Sequence, residues 1–287
     1  MDCPASEART GVNPHAPFPV SLLSLPRSLH RHRALILQLV RREVTGRYKG
    51  SVMGILWSLV NPILMLAMYT FLFSVVFTAR WGQDTPQNKA QFATMMFVGL
   101  IVHGLFAEAI SRAPGLVVSQ VNFVKKVVFP LEVLPVVAMG TALFHSVLSL
   151  GVLLVALMLT NGGLPWSVIL LPLVWLPLVT LALGLAWMLA SLGVFVRDVA
   201  HPIGMIVTAL LFASPVFYPV SALPASLREW LFLNPLTLII EQSRAVLMLG
   251  RMPDFGALGI YGAVALIIAW IGYAWFQKTR KGFANVL

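Results

Sequence analysis

The chain has 287 residues, of which 59% are hydrophobic and only 10% charged, and its mean hydropathy is +0.87. A composition this apolar cannot cover a water-facing surface, which excludes a soluble fold, and its uncharged runs are long enough to span lipid. The formal net charge of +10 would suit nucleic acid, but the Lys and Arg flank apolar runs instead of forming a patch, a pattern that orients helices in a membrane and gives no reason to expect a nucleic-acid partner.

Residues 1–26 contain Pro4, Pro14, Pro17, Pro19 and Pro26 and lack the apolar core of a signal peptide. They read as a poorly ordered cytosolic leader ahead of a transmembrane domain over 27–287. The single cysteine, Cys3, lies in that leader, so neither an intrachain disulfide nor a thiolate metal site is expected. Leu29–Tyr48 is basic and amphipathic. Leu35, Ile36, Leu39, Val40 and Val44 share one side at helical spacing, and Arg33, Arg41, Arg42 and Arg47 are left for lipid headgroups or an acidic partner.

No residue from Gly50 through Ala79 is charged, which predicts a first span over about 52–78. A second span covers about 92–111 and passes Glu108. Residues 133–196 are uncharged and too many for one crossing; Asn161-Gly162-Gly163-Leu164-Pro165 divides them into spans at 133–160 and 166–196. The fifth and sixth spans are placed at about 202–219 and 257–276. Between them, Leu227–Leu233 and Leu236–Leu249 are apolar but too short to cross, and Asn234-Pro235 breaks them into two short re-entrant helices on the outer side. Two further crossings are disfavoured, because Arg228, Glu229, Glu241 and Arg244 would then lie at membrane depth.

The fold class is therefore all-α integral membrane, with six spans, an N-terminal interface helix and an outer re-entrant pair. Placing both termini in the cytosol puts most of the twenty Lys and Arg inside and leaves Arg80, Lys89, Arg228, Arg244 and Arg251 outside. The loop Ser111–Pro130 is long for a connector, and its Val117–Val124 portion has the pattern of a short amphipathic helix.

The candidate functional residues are sparse. Tyr69, Phe73 and Phe77 are spaced i, i+4, i+8 and form an aromatic ladder; Phe212, Phe217 and Tyr218 cluster in the fifth span. Glu108 and Arg112 are four apart, in the order that favours a structural ion pair. His103 and His145 stand alone, each suited to one helix–helix hydrogen bond, and no metal-ligand spacing accompanies them. Ala182, Ala186 and Ala190 mark a close helix contact. The ten acidic residues are scattered and form no catalytic dyad, so a membrane-embedded transferase is the weakest reading and no catalytic residue is assigned. With no Gly-Lys pair the chain has no Walker A loop, and no cofactor is expected on it.

Arg47-Tyr48-Lys49-Gly50-Ser51, followed by Gly54, Trp57 and Asn61-Pro62, resembles the start of the first span in ABC-2 type permeases of the polysaccharide and O-antigen export family. The resemblance continues through Asn122, Lys125-Lys126 and Phe129-Pro130, Val196-Arg197-Asp198, Ser214-Pro215-Val216 and Asn234-Pro235, and covers roughly residues 30–285. It implies the membrane subunit of a bacterial inner-membrane exporter. Two copies would form the pathway as a homodimer, and two copies of a separate ABC ATPase subunit would bind ATP and Mg. The cargo would be a lipid-linked polysaccharide; teichoic acid, a drug or a small lipid are the alternatives. Under this resemblance Arg41 and Arg42 belong to a docking helix, and Asn122, Lys125, Lys126, Phe129 and Pro130 to a coupling segment that receives the ATPase motion. The aromatics Tyr69, Phe73, Phe77, Phe212, Phe217 and Tyr218 would be flat surfaces over which sugar rings slide, ordinary helix packing being the other reading.

Overall fold

The computed structural model describes residues 24–72, 89–122, 129–231 and 233–287, and among these it contains ten α-helices and no strand. They are α1 Ser24–Arg31, α2 Arg33–Arg47, α3 Trp57–Phe71, α4 Lys89–Arg112, α5 Val133–Asn161, α6 Leu171–Phe195, α7 Ala200–Ala213, α8 Ala225–Leu231, α9 Pro235–Leu247 and α10 Phe255–Val286. Five segments among the described residues have the length and hydropathy of a membrane crossing: Gly54–Phe71, Phe92–Gly115, Val133–Thr160, Trp166–Phe195 and Phe255–Val286.

The helix α4 is central, with Phe97, Val98, Val102 and Leu105 all buried, and α3, α5, α6, α7 and α9 pack around it. The opposite surface of α3 exposes Leu59, Ile63, Leu64, Met68 and Phe71, the apolar face that a span turns to lipid or to another span. α1, the start of α5 and the end of α10 meet at one end of the bundle, called proximal here, through the Ser28–Glu132 and Arg280–Glu132 contacts. The distal end carries the start of α6 and the end of α9, where the Ser167 hydroxyl donates to the Val246 carbonyl at 2.6 Å.

The breakers act where the sequence places them. Gly162 closes α5 in the left-handed region at φ 74°, a conformation that costs a residue without Cβ nothing. Asn234 caps α9, its side-chain oxygen accepting from Leu236 N at 2.9 Å, and Pro235 fills the first helical position, where an N–H is not needed. The hairpin of α8 and α9 therefore forms as two short helices. Tyr261 donates to the Pro235 carbonyl at 2.8 Å, which sets the turn six residues, or ~9 Å, along α10 from its distal start.

Three boundaries differ from the sequence reading. The expected fifth span at 202–219 holds a helix of 14 residues, ~21 Å long, which is short of the ~30 Å hydrocarbon core. It stops because Ser214 precedes Pro215 and is pushed to the extended region at φ −93°, ψ 152°. The non-helical peptide that follows is covered by protein, with Val216 fully buried against Gly99 of α4. The last helix runs on to Val286 instead of ending near 276, since Lys278, Arg280 and Lys281 are good helix formers, the two exposed lysines can reach the interface, and Arg280 has a protein partner. The expected amphipathic helix over Val117–Val124 begins later: Val118–Gln120 form a tight turn, and Val121 and Asn122 are helical. Residues 123–128 lie outside the described residues.

Candidate functional site

Two polar clusters organise the proximal end. The first centres on Glu108 of α4, whose Oε1 accepts from Arg47 of α2 at 2.8 Å and whose Oε2 lies 2.9 Å from His145 Nδ1 of α5. The tautomer that donates Nδ1–H to Glu108 leaves Nε2 to accept from Tyr48 Oη at 3.4 Å. Arg112 is 3.8 Å from Glu108 and makes its close ion pair with Glu43 instead. The expected Glu108–Arg112 pair is thus present but the longest of the four ion pairs in this cluster, because α2 supplies both residues with partners whose geometry one helical turn cannot match. The predicted helix–helix hydrogen bonds of the two histidines are present: His145 as above, and His103, whose Nε2–H donates to the Val207 carbonyl at 3.1 Å.

The second cluster roots the segment that follows residue 128. Arg280 of α10 donates to Glu132 at 2.8 Å and to the Phe129 carbonyl at 2.7 Å, Ser28 donates to Glu132 at 3.2 Å, and Trp187 Nε1 donates to the Glu132 carbonyl at 3.0 Å. Phe129 itself is only 9% exposed and joins a proximal core with Leu131, Trp187, Phe276 and Phe283. Its ring is an anchor in the bundle and not a contact surface, while Pro130 is half-buried and Asn122 is exposed. Lys125 and Lys126 lie outside the described residues. Arg280 thus ties the residues before α5 to the end of α10, which packs along α6. Arg280→Gln is expected to cost about 3 kcal/mol, since it leaves a buried carboxylate unpaired; the double exchange Glu132→Arg with Arg280→Glu should recover part of that loss in thermal unfolding of the purified protein.

The sequence-predicted docking residues Arg41 and Arg42 are exposed on α2. The apolar side of that helix sits on the bundle: Val44 is buried, Val40 packs against Gly140, and Leu35 and Leu39 join the proximal core. The aromatic candidates separate. Tyr69 faces inward and lines a cavity of about 200 Å³ together with Asn61, Glu108, His145 and Ser149. Phe73 and Phe77 lie outside the described residues. Phe212, 64% exposed, stacks on Phe217 at 5.8 Å, and Tyr218 donates to the Phe212 carbonyl at 3.2 Å. Phe212 also ends an open groove along α7 that begins at His201 and passes Met205 and Thr208.

At the distal end the hairpin is pinned by Arg244, which the sequence reading assigned to the outer side without a role. It is 3% exposed and donates to the Met95 carbonyl of α4 at 3.1 Å, the Val216 carbonyl at 3.1 Å and Glu241 at 2.8 Å. The sequence reading keeps Arg244 out of a membrane crossing on account of its charge; in the structure protein acceptors satisfy that charge. The only local signal was the Glu241–Arg244 spacing of i, i+3. Asn234 Nδ2 adds a bond to Ser214 Oγ at 2.9 Å, tying together the two Pro-containing breaks.

Comparison with known proteins gives a consistent picture. The family described as ABC-2 type transporter matches residues 34–248. An O-antigen export system permease protein RfbA from Myxococcus xanthus is 34% identical over 266 residues, covering 92% of this chain and 99% of the relative. A protein of the same name from Klebsiella pneumoniae is 23% identical, over 88% of this chain and 95% of its own length. A polysialic acid transport protein KpsM from Escherichia coli is 22% identical, over 84% and 91%.

Proposed function

This chain belongs to the ABC-2 type transporter family, and from that premise we propose that it is the permease subunit of an ATP-driven exporter that moves a lipid-linked polysaccharide, such as O-antigen or capsule, across the bacterial inner membrane. The observation that carries this reading is the 34% identity to an O-antigen export permease over nearly the full length of both chains. A partner ATPase subunit, in two copies, supplies nucleotide hydrolysis and its Mg; this chain, with no Gly-Lys pair, supplies none. Two copies of the chain form the path as a homodimer, because a two-fold axis makes one continuous opening from two identical bundles.

The proximal end faces the cytosol, in keeping with the basic residues of α2 and the end of α10. Asn122, Lys125 and Lys126 receive the motion of the ATPase, and Arg41 and Arg42 help to seat it. Phe129, Pro130, Glu132 and Arg280 carry that motion into α10 and α6. Phe212, Phe217 and Tyr218 offer the travelling chain flat apolar surfaces that guide without holding it, with Tyr69, Phe73 and Phe77 as further candidates. The α8–α9 hairpin forms the distal gate.

Deleting the gene is expected to leave the polymer accumulated inside the cell, with restoration by a plasmid copy, as read by fractionating surface and cytosolic polysaccharide. Unchanged surface display in the deletion strain overturns the assignment.

A further inference from the structure

We propose that the cleft between α2 and the proximal ends of α4 and α5 binds an anionic phospholipid, its phosphate held by Arg112 and Arg42 and its first acyl methylenes lying on Leu39, Leu116 and Val137. The cleft has a volume of about 480 Å³ and a lining that mixes basic and apolar side chains. Arg42, Arg47, Arg112, Ser119 and Gln120 line it together with Leu39, Leu116, Leu134 and Val137. Three guanidinium groups face a single lining carboxylate, Glu43.

The particular observation is at Arg112. Its Nη2 is committed to Glu43, while Nη1 is buried and has no hydrogen-bond partner among the described residues. The nearest carboxylate oxygen, Glu108 Oε1, is 3.8 Å away and already held by Arg47 at 2.8 Å. A buried guanidinium nitrogen without an acceptor is costly, and the rest of the Arg112 side chain, 29% exposed, borders the cleft, where a turn of the guanidinium would bring it to an acceptor. An anionic oxygen is the acceptor a guanidinium favours, and the planar fork of arginine matches phosphate. Arg42, exposed and without a hydrogen bond among the described residues, is free to approach the same group.

The apolar part of the lining, Leu39, Leu116, Leu134 and Val137, selects a lipid over a soluble anion. The helix α2 is amphipathic and carries its arginines where headgroup phosphates lie, and the leucines continue from that level toward the bundle. The proposal concerns a resident membrane lipid and stands whatever the cargo is.

The test uses the full-length protein purified in detergent from cells that cannot synthesise the polysaccharide. Native mass spectrometry is expected to show one phosphatidylglycerol or cardiolipin retained per chain, and added phosphatidylglycerol to raise the thermal unfolding midpoint where phosphatidylcholine does not. Gly46→Glu puts a negative charge into the cleft at a position where a Cβ meets nothing within 4 Å, so the fold should survive while lipid retention falls at least about tenfold, a change of 1.4 kcal/mol or more. Arg42→Gln gives the same direction from a residue with no structural bond to lose. Equal stabilisation by both lipids, undiminished retention in Gly46→Glu and Arg42→Gln, stabilisation by inorganic phosphate alone, or retention seen only when the cargo is made would each overturn the proposal.

Discussion

Replacing Arg244 by methionine is expected to leave little folded protein in the membrane and to abolish polysaccharide display. Methionine fills much of the same volume but donates nothing, so the Met95 and Val216 carbonyls and Glu241 all lose their donor. Each buried carbonyl left unpaired costs about 1–3 kcal/mol, while Glu241, 41% exposed, can turn to solvent; the total, roughly 2–6 kcal/mol, is a large part of the stability of an ordinary domain. Arg244→Lys should retain part of the function at most, because a single ammonium cannot reach acceptors that diverge across a planar fork. Gly99→Ala attacks the same joint from the other side: its Cβ would lie 3.1 Å from Val216 Cα and 3.2 Å from Arg244 Nη2. The measurements are the yield of monodisperse protein and the unfolding midpoint in detergent. A wild-type midpoint for Arg244→Met would mean that the hairpin is held by something else.

The second large effect belongs to the crossing of α6 and α10. A Cβ on Gly184 would lie 2.6 Å from Ala269 Cα, and one on Gly272 would lie 2.1 Å from the Gly184 carbonyl oxygen. These neighbours are backbone atoms of two long helices, so no rotamer change relieves the overlap, and the helices must separate along their whole contact. Gly184→Leu and Gly272→Val are each expected to destabilise by about 3 kcal/mol or more, at the upper end of overpacking costs. Gly151→Ala is the matched control. It is exposed, its Cβ meets nothing within 4 Å, and removing a helical glycine should be neutral or gain up to about 1 kcal/mol. Thermal unfolding of the three variants in one detergent separates the close approach from any general intolerance of glycine replacement.

Much of this architecture is legible before any coordinates. The breakers at Gly162 and Asn234-Pro235, the short hairpin helices, and the small-residue contact at Ala182, Ala186 and Ala190 all follow from local chemistry, and those three alanines are buried. The same reading missed Gly184 and Gly272, because nothing local distinguishes a helical glycine that meets another backbone from one that faces lipid. It extended the helix before Pro215 through the proline by counting hydropathy alone, although the residue before a proline resists the helical region. Its Glu108–Arg112 pair is present at 3.8 Å, but the i, i+4 rule, a rule about isolated helices, could not show the closer partners brought by another element.

Hydropathy by itself settles that the chain is a multi-pass helical membrane protein and roughly where its helices lie, because hydrocarbon admits only segments that are apolar over a full crossing and bonded within themselves. The choice of partner for each buried charge came from the tertiary structure. Arg47 meets Glu108 across 61 residues, Arg112 meets Glu43 across 69, and Arg280 meets Glu132 across 148. In a low-dielectric interior an ion takes the best-oriented counter-charge within reach, and the packing of helices distant in sequence decides which one that is.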